Sequence, residues 1–355
     1  GYISPDLRTH PVGMLVRPLL FDFDRTRFAV CCYMSGAEDE LSARFRAAAD
    51  VWRNIQGMTA EEAAALVRGD EIDILVDLAG HTQHNSLPVL ADKPAPVQVT
   101  GIGYFNTTGL PAVDYMLSDV HVDPAGTADA AFTEEMIRLP HSHFCYTLPE
   151  GLPAVAPPPM ERSGSVTFGS FNNFSKVTDE VLHLWHQVLD TVPGARLLVK
   201  SKLFDSAEGR AVATERFTRC GISTERVEMR AFSRDYLAEY GDMDIALDTF
   251  PYTGGITTCE ALSMGVPVVT LRGESHGARF GESLLINANL PELVAAVPED
   301  YVRIAAALAS SPETLRLLRG NLRTIFARAP LTDAHRYVHD VEAAYAEMWE
   351  RFVQN

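Results

Sequence analysis

Two doubly wound α/β domains facing a cleft are the fold this sequence predicts. Three observations carry it. Short apolar runs of strand length alternate with helical stretches, as in βαβ units. A proline-rich break at residues 149–163 separates two such sets. The length, 355 residues, exceeds one ordinary core and suits two.

In the first set, Ile72 to Leu78 and Val97 to Thr100 read as buried parallel strands, and Asp114 to Asp119 as a third. Thr59 to Arg68 reads as a helix before the first of them. The break, Pro149 to Pro159, places the domain boundary at 155/156. The second set opens with the strand Val166 to Phe171. An amphipathic helix from Thr178 to Val192 follows, with Thr178 as N-cap and Pro193-Gly194 as its stop. Arg196–Lys200, Val227–Arg230, Asp244–Asp248 and Pro267–Leu271 read as strands. The last two flank a helix from about Thr257 to Met264. The final stretch, 333–355, is helical over about 333–352. It is expected to cross back onto the first domain, with Tyr345 and Trp349 in the core.

Composition narrows the function. No apolar run approaches the ~20 residues of a membrane span, and the first residues, Gly1-Tyr2-Ile3-Ser4-Pro5, do not read as a secretory leader. Five scattered cysteines without a CxxC pair read as reduced thiols in a cytoplasmic protein. The net charge of −17 speaks against nucleic acid or an anionic membrane as partner. It leaves a nucleotide ligand open, because a few local donors suffice for a diphosphate.

The richest motif runs from Leu247 to Leu262. A strand ends at Asp248, the pair Gly254-Gly255 follows, and then comes a helix start with Thr257, Thr258 and Glu260. Glycines let backbone approach a ligand, and the free N–H groups of a helix start receive phosphate. Glu260, one turn in, suits the two hydroxyls of a ribose. The same letters also fit a plain Gly-rich turn with a threonine cap. Phe171-Asn172-Asn173-Phe174-Ser175-Lys176 ends the first strand of this domain. A lysine there suits a diphosphate leaving group, or is a solvated loop lysine. In the first half, His10 opens a Gly/Pro-rich turn after an early strand. His81 and Thr82 follow the strand ending at Leu78, and Gly103 to Gly109 follows another strand end. Asp22-Phe23-Asp24 and Asp242-Met243-Asp244 match Asp-x-Asp by letter but not by a strand-end position, so no metal is expected.

Taken together these stretches resemble the catalytic region of the O-GlcNAc transferase and SPINDLY family, inverting GT-B glycosyltransferases acting on Ser or Thr of proteins. The resemblance rests on Ser4 to Pro11, Asp73 to Thr82, Pro94 to Gln98, Gly103 to Gly109 with Asp114-Tyr115, Phe168 to Lys176, Leu247 to Glu260, Gly265 to Thr270, and Tyr345 to Trp349. It implies that residues 1–155, with the last helix, form an acceptor-side Rossmann-like domain, and that 156–332 bind the nucleotide sugar. Lys176 matches the lysine on the departing diphosphate, and Asn173 the neighbouring amide. Thr257 and Thr258, with Gly255 before them, match the phosphate seat, and Glu260 the ribose acid. His10 matches the active-site histidine, and His81 and Thr82 the face near the sugar. The resemblance does not assign the general base.

The function implied is metal-independent transfer of GlcNAc from UDP-GlcNAc to protein Ser or Thr, with no cofactor. The partners implied are a nucleotide sugar and a protein or peptide acceptor. Members carry tetratricopeptide repeats upstream, which this sequence does not contain, so they are expected to be missing from it. The short linker favours a bacterial type. The stretch Ala231 to Leu237 looks shortened where the family contacts the base. Two alternatives therefore stay open: SPINDLY-type transfer of fucose from GDP-fucose, and a non-catalytic GT-B binding module.

Overall fold

The computed structural model describes residues 1–127 and 129–354. The chain divides into two compact units, Gly1–Thr147 with Pro330–Asn355, and Leu148–Ala329.

The first unit is built on seven parallel strands: β1 (Tyr2–Ser4), β2 (Cys31–Met34), β3 (Val51–Asn54), β4 (Ile74–Asp77), β5 (Val97–Gly101), β6 (Tyr115–Asp119) and β7 (Glu135–Leu139). Their order is β3-β2-β1-β4-β5-β6-β7, so the chain reverses direction across the sheet between β1 and β4. The helices are α1 (Pro11–Phe21), α2 (Glu40–Ala48), α3 (Ala60–Gly69) and α4 (Leu87–Ala91). A capping box explains where α3 begins: Thr59 Oγ1 accepts from the Glu62 amide while Glu62 accepts from the Thr59 amide. Its apolar face, Ala63, Ala64 and Val67, packs with Ile3, Tyr33, Leu75 and Leu90 in one core cluster.

The second unit has six parallel strands: β8 (Thr167–Ser170), β9 (Arg196–Lys200), β10 (Val227–Arg230), β11 (Ile245–Leu247), β12 (Val268–Leu271) and β13 (Val294–Ala295). The order is β10-β9-β8-β11-β12-β13, again reversing after the first strand of the unit. Its helices are α5 (Met160–Ser163), α6 (Asp179–Thr191), α7 (Ala207–Arg219), α8 (Tyr236–Glu239), α9 (Ile256–Ser263), α10 (Phe280–Asn287), α11 (Pro298–Ala309) and α12 (Pro312–Phe326). Thr178 caps α6 by accepting from the Val181 amide. The last helix, α13 (Ala334–Gln354), lies against α1, β5 and β7 of the first unit. All five cysteines are free and buried.

Four expectations need correction. The division falls at 147/148, not 155/156, because the proline-rich stretch packs on the second unit. Pro153 O accepts from Arg323, and Val155 and Ala156 lie against Gly265 and Gly241. Residues 160–163 of that stretch form a helical turn. The region after His10 is a helix: Pro11 supplies its preset φ at the first helical position. Trp349 is not core. Tyr345 is buried, its hydroxyl on that of Tyr2, but Trp349 is half-buried at the wall of a cavity of about 460 Å³. Position 355, to which the last helix was extended, lies outside the described residues.

Candidate active site

In the second unit, apolar β11 delivers Asp248 to the carboxyl end of the sheet, where it is 1% exposed. Its Oδ1 accepts from the amides of Thr249 (2.9 Å) and Gly254 (2.7 Å) and from Asn172 Nδ2 (3.3 Å). Its Oδ2 accepts from Thr270 Oγ1 of β12 (2.8 Å). Burial raises its pKa, opposed by the Gly254 and Thr270 bonds and by the charge of Lys176. These bonds fold residues 249–254 back over the strand end.

That fold admits only glycine at 254, where a Cβ would lie 2.8 Å from the hydroxyls of Thr257 and Thr258. At Gly255 the situation reverses, since a Cβ there meets nothing within 4 Å. Gly255 is the N-cap of α9 and supplies no side-chain cap. The Thr258 and Cys259 amides turn back to Gly255 O, while the amides of Ile256 and Thr257 receive no cap from Gly255 beside the positive end of the helix dipole, an arrangement suited to seating an anion.

Two side chains from the end of β8 border this seat. Asn172 bridges it, accepting from Thr257 Oγ1 (2.8 Å) while donating to Asp248. Lys176 closes a single 3₁₀ turn, Phe174–Lys176, which Asn173 caps by accepting from the Ser175 amide (3.2 Å). Its ammonium donates to Thr253 O (2.9 Å) and lies 3.7 Å from the Tyr252 ring centroid. Burial lowers the lysine's pKa, and Asp248 opposes that.

One turn into α9, Glu260 is 5% exposed. One oxygen accepts from the Tyr236 hydroxyl and the other from that of Tyr240, at 3.1 Å. Burial pushes its carboxyl up to about 7 against both bonds. Of the predicted donor-side residues, Lys176, Gly255 and Thr257 meet around the helix start. Thr258 is buried beneath Gly254, Asn173 is exposed and turned toward Ser175, and Glu260 is held by the two tyrosines. Asn172, Asp248, Tyr236 and Tyr240 were not singled out from the sequence. Adjacent Asn172 and Asn173 point to opposite faces after a strand, and that alternation was the available clue.

In the first unit, a cavity of about 570 Å³ opens at the carboxyl ends of β1 to β4. Pro5, Ser35, Gln56 and Thr82, which line it, each follow one of those strands, and the chain reversal between β1 and β4 makes this the expected crevice. His10 lines it too, 3.6 Å from an Asp6 oxygen through Nδ1. Burial lowers the pKa of His10, Asp6 opposing. Thr82 Oγ1 is tied to Ala79 O (2.7 Å). His81, its neighbour in sequence, is exposed and turned away, Nε2 donating to Thr108 O (2.7 Å). The structure thus brings His10 and Thr82 to one cavity, and His81 beside it.

Among the described residues, no group of three or more His, Cys, Asp or Glu could hold a metal ion. Three of the four Asp-x-Asp carboxylates have other work. Asp24 accepts from Thr26, Asp242 pairs with Arg230, and Asp244 receives the amides of Met160 and Thr167.

The model of glycosyl transferase family 41 matches residues 1–150 and 161–341. Among curated proteins, the chain is 42% identical over 363 positions to the probable UDP-N-acetylglucosamine–peptide N-acetylglucosaminyltransferase SPINDLY of Solanum lycopersicum. It is 43% identical to the SPINDLY protein of Arabidopsis thaliana. Both alignments take 99% of this chain and 39% of the relative, so the chain spans well under half of their length. Among solved structures, a mutant of the Thermobaculum terrenum O-GlcNAc transferase matches with a TM-score of 0.94 and 40% identity, over 100% of this chain and 68% of that one.

Proposed function

Because the chain belongs to glycosyl transferase family 41 and has its α/β, GT-B fold, we propose that it transfers a sugar from a nucleotide diphosphate to Ser or Thr of a protein acceptor. One observation carries the reading. The loop that follows the buried strand end at Asp248 runs into an uncapped helix start at Gly255, and the ammonium of Lys176 is bonded to Thr253 O of that loop. As the bond to the diphosphate breaks, negative charge grows on the leaving group. A fixed cation and aligned amides stabilise that charge more than they stabilise the bound donor.

In this reading Lys176, Gly255 and Thr257 border the diphosphate, with Thr258 beneath Gly254 and Asn173 at the rim. Glu260 takes the ribose. In the first unit, His10 and Thr82 at the cavity, with His81 beside it, are assigned to the sugar or the acceptor hydroxyl. The reaction needs no metal, because Lys176 and the helix start handle the leaving-group charge. The donor is UDP-GlcNAc, in keeping with the names of the SPINDLY relatives. The five buried thiols suit a reducing, cytoplasmic setting, and among the described residues no helix is long and apolar enough to cross a membrane.

The test is donor hydrolysis with UDP-GlcNAc and GDP-fucose in parallel, with and without EDTA, beside thermal shifts with UDP and GDP. Turnover of UDP-GlcNAc that survives EDTA supports the full reading. Turnover of GDP-fucose alone would move the chain to the SPINDLY-type reaction with the phosphate seat intact. No shift with either nucleotide at millimolar concentration would leave a non-catalytic module.

A further inference from the structure

The role of His10 is open in the reading above, and its local geometry narrows it. His10 precedes α1 in extended conformation, φ −153° and ψ 153°. Pro11, at the first helical position, has no N–H, so the first amide needing an acceptor is that of Val12. That amide donates to His10 Nδ1 at 3.3 Å. An amide can only donate, so Nδ1 must present its lone pair. A neutral imidazole carries one proton, which therefore sits on Nε2. Nε2 is the far nitrogen of a side chain 38% exposed at the wall of the cavity.

We propose that His10 acts through Nε2–H as a hydrogen-bond donor to an oxygen of the bound sugar or acceptor, and not as the base that receives the acceptor's proton. The assignment rests on the transferase reading for its ligand, but not for its tautomer. Nitrogen Nε2 has no lone pair to offer while the helix cap holds Nδ1. The opposite tautomer would need Nδ1–H to bond Asp6, whose nearer oxygen is 3.6 Å away, beyond hydrogen-bond range. The other ionisable groups at this cavity are Arg8 and His84. Arg8 lies on the loop before the helix, pairs with Asp6 and opposes protonation of His10. Burial acts in the same direction. Protonation would leave Nε2–H in place and cost only the cap.

Three variants separate cap, donor and base. His10→Asn keeps an oxygen where Nδ1 stands but withdraws the far donor. His10→Gln reaches to the Nε2 position but gives up the cap, and His10→Ala removes both. Expected are a melting temperature near that of the parent for Asn, and a lower one for Gln and Ala. Turnover should fall about tenfold for Gln and on the order of 10²-fold for Asn and Ala. A histidine base would instead make all three comparably slow, and would give the parent an acid limb below pH 6.5 that the Gln variant lacks; that result overturns the proposal. Independently, nitrogen-15 spectra of the histidine-labelled, donor-free chain should show His10 protonated at Nε2 and bare at Nδ1 near pH 7.5. A ring protonated at Nδ1 refutes the assignment whatever the kinetics. If spectra agree but no donor is turned over, the transferase reading has failed while the tautomer stands.

Discussion

The loop after β4 in the first unit and the loop after β11 in the second are bent by the same device. Each strand ends in a buried carboxylate, Asp77 at 0% and Asp248 at 1% exposure. Each carboxylate accepts from a following glycine amide, Gly80 at 2.8 Å and Gly254 at 2.7 Å. Each is braced by a threonine of the next strand, Thr100 or Thr270, at 2.8 Å. Burial raises both pKa values. Only what surrounds the device differs. The second loop runs into an eight-residue helix with a bare glycine cap and is flanked by Lys176. The first loop runs into His81 and Thr82, and the next helix, α4, spans only five residues. The shared carboxylate shapes a loop, and the chemistry comes from what is added to it. On the proposed reading, an anion belongs to the second loop, and neutral donors to the first.

The largest expected effect tests that division directly. Lys176→Ala should lower turnover by on the order of 10²-fold, about 2.7 kcal/mol of barrier. Melting should be nearly unchanged and donor binding weakened far less. Steady-state hydrolysis beside thermal melts reads both. Parent-like turnover would leave the second loop with no privilege over the first.

Next comes the device itself. Asp248→Ala and Asp77→Ala should each cost about 2–3 kcal/mol of stability in denaturant unfolding, because buried amides and a threonine hydroxyl lose their acceptor. Only Asp248→Ala should also abolish the thermal shift given by nucleotide. Equal loss of nucleotide binding in both variants would break the comparison.

The smallest effect on turnover concerns Glu260, for which α4, Leu-Pro-Val-Leu-Ala, has no counterpart. Its unfolded carboxyl ionises near 4.5, while the folded one keeps its proton to about 7. Between those values the folded state holds the extra proton. This group's contribution to stability is therefore complete below pH 4.5 and lost as pH rises through 7. Relative to the parent, Glu260→Gln should gain up to about 3 kcal/mol in going from pH 4.5 to pH 8. It should also raise the donor KM more than it lowers kcat. A parent–variant difference flat in pH would mean that the carboxyl ionises normally.

The fold was largely legible in the sequence because buried parallel strands read as unbroken apolar runs. Ile72 to Leu78 contained β4, and Arg196–Lys200 was β9 to the residue. What failed was local competition. Gly13 and Pro11 look like turn residues, yet Pro11 suits a helix start, and α1 forms around them. The prolines of 149–159 look like a free linker, but Arg323 pins their backbone. At the site, Lys176 and Gly255 were visible as residue types at strand ends and helix starts. Asn172 and Tyr236 act through hydrogen bonds to partners 85 and 24 residues away, and such pairings leave no mark on local pattern.

The Tyr236–Glu260 bond has a kinetic consequence. If Glu260 takes the ribose as proposed, a phenol of the chain already occupies the carboxylate that a ribose hydroxyl would use, and a nucleotide arriving at the phosphate seat would find the second half of its site closed. Binding then proceeds in two steps, capture of the diphosphate followed by exchange of one hydroxyl for another. The observed association rate levels off with nucleotide concentration at the rate at which Tyr236 lets go. The measured affinity is the intrinsic one reduced by the fraction of time the carboxylate stands open.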